Sequence, residues 1–363
     1  MTVKGVVMAG GKGTRLRPIT YSIPKPLVPI AGRPCIDYTL DSFYRAGVRN
    51  VIITTGYKFE SLIEGVIEFK NTDQNILFSV EREPAGTAGS VKMTSKFLED
   101  TFIVGSGDVL ADFDIKELLD FHRKRKSKLT IALTTVEDPS QLGVVDLKDG
   151  IIRKFIEKPP RNEAISNLVN AGIYVIEPEV LDHIPAGEPY DFARDLFPKL
   201  IDSGFDIHGF QASGTWLDAG RPMDMITANK VMTKKYGQKT ESGNVNGNVI
   251  LKTPQNKLEN SRISGSTYIG SDVSIGKDST VEDSAIYDGV YIGSGVEIVD
   301  SMIMDSVRIM DGTRIAQSVI MRGTVIGTNC EISHSVLSPR LNLHDNSRVY
   351  NVSLSSEVVE EEN

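Results

Sequence analysis

Residues 8–20 read MAGGKGTRLRPIT, where Gly10, Gly11 and Gly13 sit between Ala9 and Thr14. Glycines at this density let backbone amides come close to an anion, so the turn is suited to cradling phosphate. It lacks the GK[ST] ending of a Walker A loop, and its glycines do not follow the G-x-G-x-x-G spacing of a dinucleotide fingerprint. A glycine cluster alone also serves as a tight structural turn. Here Arg15 follows it, and the stretch IPKPLVPIAGRP then presents Lys25, which Pro26 should keep extended because the residue before proline is pushed out of the α region. An arginine fork grips phosphate oxygens in pairs, and a lysine supplies a point charge. Each close charge pair contributes on the order of 4 kcal/mol at an effective dielectric near 20, before desolvation. Exposed surface cations are the plain alternative.

Carboxylates complete the chemistry. Asp108 ends an apolar run at the carboxyl end of a strand, where ligands bind in open α/β sheets, although an aspartate there also caps turns. Asp218 in WLDAG supplies a second carboxylate, and two aspartates with phosphate oxygens and waters suit Mg²⁺. FIEKP sets Glu157 beside Lys158; adjacent strand residues face opposite ways, so the two can share a ligand only where the strand ends, as Pro159 suggests. A cross-strand ion pair is the simpler reading. Asn170 carries donor and acceptor atoms for hydroxyls, and Gly143 leaves its backbone open to close approach. Glu81 opens EREPAGTAG; a carboxylate matches the adjacent N–H donors of guanine, whereas uracil or thymine pairs better with an amide. If Glu81 is merely solvated, backbone near Gly86 and Thr87 reads the base instead.

The elements that must position these residues change character along the chain. Up to about residue 235, strand-like runs (5–9, 51–55, 76–80, 102–105, 129–135, 169–176) alternate with helix-period segments (36–46, 61–69, 88–98, 115–124, 192–201). That rhythm implies an α/β domain, Rossmann-like, with a mostly parallel sheet and helices on both faces. Segment 236–248 is polar and rich in Gly and Asn, and reads as a linker. Beyond it, Ile, Val or Leu recurs at Ile269, Ile275 and Val281, then at Ile286, Ile292 and Ile298, with steps of six, six and five through Val349. Serine recurs in register at Ser284, Ser301, Ser318 and Ser335, so one unit is 17 residues. An α-helix cannot keep that spacing on one face, whereas a triangular coil of three short strands places one aliphatic side chain inside on each side. Residues 249–355 are therefore expected to form a parallel β-helix, with irregular opening coils at 245–263 (Val249, Ile250, Leu258 and Ile263 off register) and an acidic tail at 356–363.

Composition limits the alternatives. With 363 residues, 40% hydrophobic, and a net charge of −8, the chain has apolar surface for two cores and is a poor candidate for nucleic acid. The basic run 122–128 ends an expected helix, where cations complement the dipole. No run of 18 apolar residues occurs, and the N-terminus reads as a strand, so no membrane partner and a cytoplasmic location are expected. Cys35 and Cys330 stand far apart without metal-ligand spacing.

G-G-x-G-T-R-L-x-P followed by P-K-P resembles the signature of the sugar-nucleotide pyrophosphorylases, and EREPAGTAG, GSGDV, LGVV, FIEKP, VNAGIY and WLDAGRP follow in that family's order. The sequence is most similar to the mannose-1-phosphate guanylyltransferases. The resemblance spans essentially the whole chain and implies a left-handed β-helix of hexapeptide repeats at the C-terminus. It assigns Arg15 to pyrophosphate, Lys25 to the reacting phosphate, Asp108 and Asp218 to Mg²⁺, Glu157 to sugar hydroxyls and Lys158 to the sugar's phosphate. GTP and mannose 1-phosphate are the implied substrates, with UTP or dTTP and glucose 1-phosphate as the alternative pair. One departure stands out: Ser106 replaces the asparagine that relatives carry two residues before the metal aspartate. A non-catalytic regulatory relative, and a bifunctional enzyme whose β-helix adds acetyl transfer with His334 or His344 as base, are the competing readings. The β-helix is expected to join copies of the chain into a homo-oligomer.

Overall fold

Strands near the N-terminus send alternate side chains into two different buried layers. Val6, Ile52 and Val104 join one apolar cluster, and Val7, Ile53 and Ile103 join the other, as the period of two requires. A sheet buried on both faces needs helices on both, and the computed structural model, which describes residues 3–69 and 73–354, has them. The strands are β1 (Lys4–Met8), β2 (Asn50–Thr55), β3 (Asn75–Val80), β4 (Phe102–Ser106), β5 (Val109–Phe113), β6 (Leu129–Thr135), β7 (Gly143–Lys148), β8 (Ile151–Glu157), β9 (Leu168–Ile176), β10 (His208–Gln211) and β11 (Gly214–Asp218). The helices are α1 (Cys35–Arg45), α2 (Phe59–Phe69), α3 (Gly86–Met93), α4 (Ile115–Arg125), α5 (Phe197–Asp202) and α6 (Pro222–Tyr236). Helices α1, α2 and α4 cover one face; α3 and α5 cover the other.

The nine-stranded sheet runs β3-β2-β1-β4-β9-β6-β10-β8-β7, with β11 paired to β5 alongside as a separate two-stranded sheet. Parallel pairing holds from β3 to β4, and again between β6 and β10. At β9 the direction reverses, and the β7–β8 hairpin continues the sheet antiparallel. Asp149 and Gly150, both at positive φ (56 and 81), close that hairpin, which is the backbone a two-residue Asp-Gly loop adopts.

Two compact units emerge: Met1–Lys12, Pro24–Leu27 and Pro34–Asp218 form the first, while Gly13–Ile23, Val28–Arg33 and Ala219–Asn363 form the second. Helix α6 falls in the second unit of this division. Helix α6 packs with the β-helix through Asn229, whose Oδ1 accepts from Ala31 N (2.8 Å) and lies 2.7 Å from the Tyr287 hydroxyl. Lys230 on the same helix reaches Asp283 (3.3 Å) and Asp300 (2.6 Å).

The expected linker at 236–248 is a β-hairpin instead: Gln238–Ser242 pairs antiparallel with Val245–Leu251, which then pairs parallel with Arg262–Ile269. Its polar side chains conceal a backbone that finds ladder partners, which composition alone does not reveal. From there the coils stack at the 17-residue offset, Ile275 on Ile292 on Ile309 on Ile326, around a continuous aliphatic core. Leu258 also obeys that register, pairing with Ile275, so only the strand at 245–251 and residues 262–264 are displaced; they pair at an offset of 18. The extra residue falls at the turn around Gly265, where φ is 71. The serine column explains how the corners are satisfied. Ser284, Ser301, Ser318 and Ser335 each receive the amide of the residue 17 later at 3.0–3.3 Å, so the buried corner amides of successive coils all find an acceptor. The acidic tail at 356–363 lies outside the described residues.

Candidate active site

In the first unit, the carboxyl ends of β1 and β4 open on a cavity of ≈ 320 Å³ lined by Ala9, Gly10, Gly11, Lys25, Glu81, Gly86, Thr87, Ser106 and Asp108. All of these but Ser106 are residues that the sequence assigns to the nucleotide, the metal or the reacting phosphate. Gly10 faces the Glu81 carboxylate, since a Cβ there would lie 2.9 Å from Glu81 Oε1. Glu81 is half-buried and accepts a hydrogen bond from Ala85 N at 3.1 Å. Burial raises its pKa, and that amide offsets only part of the effect. Gly86, at φ 74, starts α3 where a Cβ would strike the Tyr190 backbone at 2.6–2.8 Å.

Lys25 departs from its expected extended conformation: it opens a 3₁₀ turn, Lys25–Leu27, in which Leu27 N donates to Pro24 O at 2.8 Å. The local bias set by Pro26 yields to two carboxylates. Lys25 Nζ, on a side chain only 7% exposed, lies 2.8 Å from Asp108 Oδ2 and 3.5 Å from Asp218 Oδ1. Burial would lower the lysine's pKa, but the two aspartates more than compensate and hold it raised. Asp108 mirrors this: burial pushes its pKa up, and Lys25 with the Ser106 hydroxyl brings it below the ordinary value. Ser106 thus hydrogen-bonds directly to Asp108.

The expected sugar-phosphate residues gather along β7, β8 and β9. Glu157 is the register partner of Gly143, and a Cβ on Gly143 would meet Phe155 at 2.4 Å and Glu157 Oε2 at 3.0 Å. Lys158 turns out of the strand at φ 49, as Pro159 suggested, and its Nζ is 3.5 Å from Glu157 Oε1. Asn170 sits where β9 bulges; its Oδ1 accepts from Gly172 N (2.9 Å) and its Nδ2 donates to the Tyr174 hydroxyl (3.0 Å). A Cβ on Gly172 would lie 3.7 Å from Ser106 Cβ, so the bulge adjoins the wall of the main cavity.

Gly13, Thr14 and Arg15 belong to the second unit, where the Arg15 guanidinium packs over Gly220. Asp191 escaped the sequence reading. It lines the cavity and accepts from both the amide (3.0 Å) and the hydroxyl (2.9 Å) of Thr87, which fixes the start of α3. Its signal was an aspartate just before an apolar helical run. His334 and His344 are exposed, and His334 occupies a left-handed corner at φ 49 that other coils fill with Asp283, Asp300 and Gln317. That is a turn position.

A family model described as nucleotidyl transferase matches residues 4–235, nearly two thirds of the chain. The chain belongs to this family. A second model, described as the EIF2B subunit epsilon LbH domain, matches 247–349 and identifies the stacked coils as a left-handed β-helix. Relatives include mannose-1-phosphate guanyltransferase 2 of Candida glabrata and mannose-1-phosphate guanyltransferase of Saccharomyces cerevisiae, each 36% identical over 69% of this chain and 71% of theirs. Among solved structures, HddC from Yersinia pseudotuberculosis complexed with GMP-PN is 28% identical with a TM-score of 0.55, covering 64% of this chain and 100% of that one. A putative glucose-1-phosphate thymidylyltransferase from Bacillus anthracis shares the fold at 24% identity and a TM-score of 0.58, over 63% of this chain and 95% of that one. The nucleotidyltransferase is thus an enzyme of the sugar-nucleotide pyrophosphorylase kind. No helix among the described residues is long and apolar enough to cross a membrane.

Proposed function

We propose that this nucleotidyltransferase joins GTP to mannose 1-phosphate, releasing pyrophosphate and GDP-mannose. The observation that carries the reading is one cavity holding the glycine turn, Glu81, Lys25 and Asp108 together, in a chain akin to mannose-1-phosphate guanyltransferases. The sugar phosphate oxygen attacks the α-phosphorus in line, and the bond to the leaving pyrophosphate breaks without a covalent intermediate. Such displacement needs positioning and charge neutralisation more than covalent help. Lys25, kept protonated by its two carboxylates, serves the reacting phosphate, and Arg15 serves the pyrophosphate. Glu81 accepts from the guanine N1 and N2 donors, while Gly143, Glu157, Lys158 and Asn170 take the sugar phosphate.

The donor set fits Mg²⁺. Asp108 and Asp218 both reach Lys25 and offer only hard oxygens, and no group of three His, Cys, Asp or Glu side chains converges among the described residues. Two carboxylates completed by phosphates and water are how Mg²⁺ is commonly held. When bound by Asp108 and Asp218, the ion would supply positive charge to the phosphates. The β-helix is proposed to join copies of the chain, which sedimentation measures, and the cytoplasm is the proposed compartment.

A pyrophosphate-release panel of GTP, UTP, dTTP and ATP against mannose, glucose and N-acetylglucosamine 1-phosphates tests the assignment. Highest kcat/KM for GTP with mannose 1-phosphate is expected. Preference for UTP or dTTP with glucose 1-phosphate would reassign the substrates, and no release with any pair would indicate a regulatory relative.

A further inference from the structure

One column of the β-helix faces outward yet is buried. Tyr287, Met304 and Met321 each follow an inward isoleucine (Ile286, Ile303, Ile320) at the 17-residue spacing, and all three are at most 4% exposed. Large side chains on an outer face are buried only where something covers them. In the second unit, Pro29 O accepts from the Tyr287 hydroxyl at 2.9 Å, and the segment Pro18–Ile23 reaches Met304 and Met321.

The next coil breaks the column. Its outward residue is Ser338, where the preceding coils carry methionine, and the missing volume opens as a second cavity of ≈ 320 Å³. Ser338 lines it, is 3% exposed, and its hydroxyl has no hydrogen-bond partner among the described residues. A buried hydroxyl left without a partner is unfavourable, so its presence beside a cavity points to a ligand atom that satisfies it. The rest of the lining divides by chemistry. Met304, Met321 and the Tyr21 ring are suited to a flat ring, through sulfur–aromatic and stacking contact. Arg322 and Arg340 are suited to phosphate: Arg322 is 2.9 Å from Asp305, whereas Arg340 has no ion pair among the described residues. A third guanidinium, Arg17, lies 4.8 Å over the Tyr21 ring.

We propose that this cavity, lined by Tyr21, Met304, Met321, Ser338 and Arg340, is a second ligand site that takes a mononucleotide. Its size lies at the lower end for small-molecule pockets, and its few polar groups converge on one side of an apolar lining. Pro18–Ile23 runs on in the chain from Arg15, so a ligand that clamps the segment shifts the population of conformations available to that arginine. The site is independent of which base and sugar the first unit prefers.

Ser338→Met restores the methionine column, and so fills the cavity with a residue the fold already accommodates one coil earlier. Calorimetric titration of the full chain with GMP should show one site more in the wild type than in Ser338→Met, with Arg340→Ala weakening that additional site about tenfold or more. Without added GMP, both variants should turn over like the wild type. With GMP, wild-type turnover should change about fivefold or more in a manner that neither substrate competes away, and Ser338→Met should lose that change. Equal numbers of GMP sites in the wild type and in Ser338→Met overturn the proposal. Inorganic phosphate reproducing the heat and the turnover change would overturn the nucleotide assignment. A change in sedimenting mass in Ser338→Met with GMP binding unchanged would make the face a contact between copies and refute the site.

Discussion

Lys25 is both a structural counter-ion and the proposed ligand of the reacting phosphate, and substitution can separate the two roles. At an effective dielectric of about 20, its 2.8 Å contact with Asp108 is worth about 6 kcal/mol of gross attraction before desolvation. Removing one partner of a buried pair typically costs about 3–5 kcal/mol, because the other charge stays desolvated. Asp108 is 37% exposed, so water screens the orphan and about 2 kcal/mol is the reasonable loss for Lys25→Met. In a unit of this size that corresponds to a drop in Tm of about 4–8 °C. Adding Asp108→Asn removes the stranded charge, so the double variant should recover most of the lost stability. Turnover should not recover: losing a donor to a reacting phosphate costs about 10²–10³ in kcat, and the double variant lacks a carboxylate as well. Differential scanning calorimetry and pyrophosphate release on the same preparations give both readouts. If the double variant melts no higher than Lys25→Met, the electrostatic argument fails. If Lys25→Met keeps turnover within threefold of wild type, the lysine is structural only.

Burial raises the Glu81 pKa, so its acceptor form fades sooner than an ordinary glutamate's as pH falls; GTP should then bind more weakly on the acid side, with the limb absent in Glu81→Gln, whose preference should move toward UTP or dTTP. The sign for stability is opposite: a raised carboxyl pKa favours the folded state most below the unfolded value, and that contribution disappears as pH rises through the folded one. KM measured against pH for both proteins checks this. Gly86→Ala forces a side chain into positive φ and against the Tyr190 backbone, so KM for the nucleotide should rise and Tm fall by several degrees, as steady-state kinetics and melting would register. Ser301→Ala leaves the Ser318 amide buried without its acceptor and should cost about 1–3 kcal/mol in denaturant titration, with turnover unchanged.

Local chemistry is written plainly into this sequence. The glycine turn is read from residue types and spacing alone, so the phosphate-loop reading needs no tertiary information. The steps of six, six and five are visible because each inward position tolerates only an aliphatic side chain, coil after coil. Even the serine column is countable, although its purpose is not: hydroxyls receiving amides 17 residues away appear only once the coils are stacked. The antiparallel half of the sheet, by contrast, turns on an Asp-Gly loop that composition obscures among other polar residues.

What the sequence determined by itself was the set of reactive groups, the α/β alternation and the β-helix, since each is carried by spacing within a short window. Tertiary structure decided the rest. It moved Gly13–Ile23, Val28–Arg33 and helix α6 into the second unit, made a hairpin of the supposed linker, bent Lys25 toward two distant aspartates and brought Asp191 to Thr87. These outcomes depend on which partners satisfy buried charges and backbone groups far along the chain, and no local pattern encodes the winner of that competition.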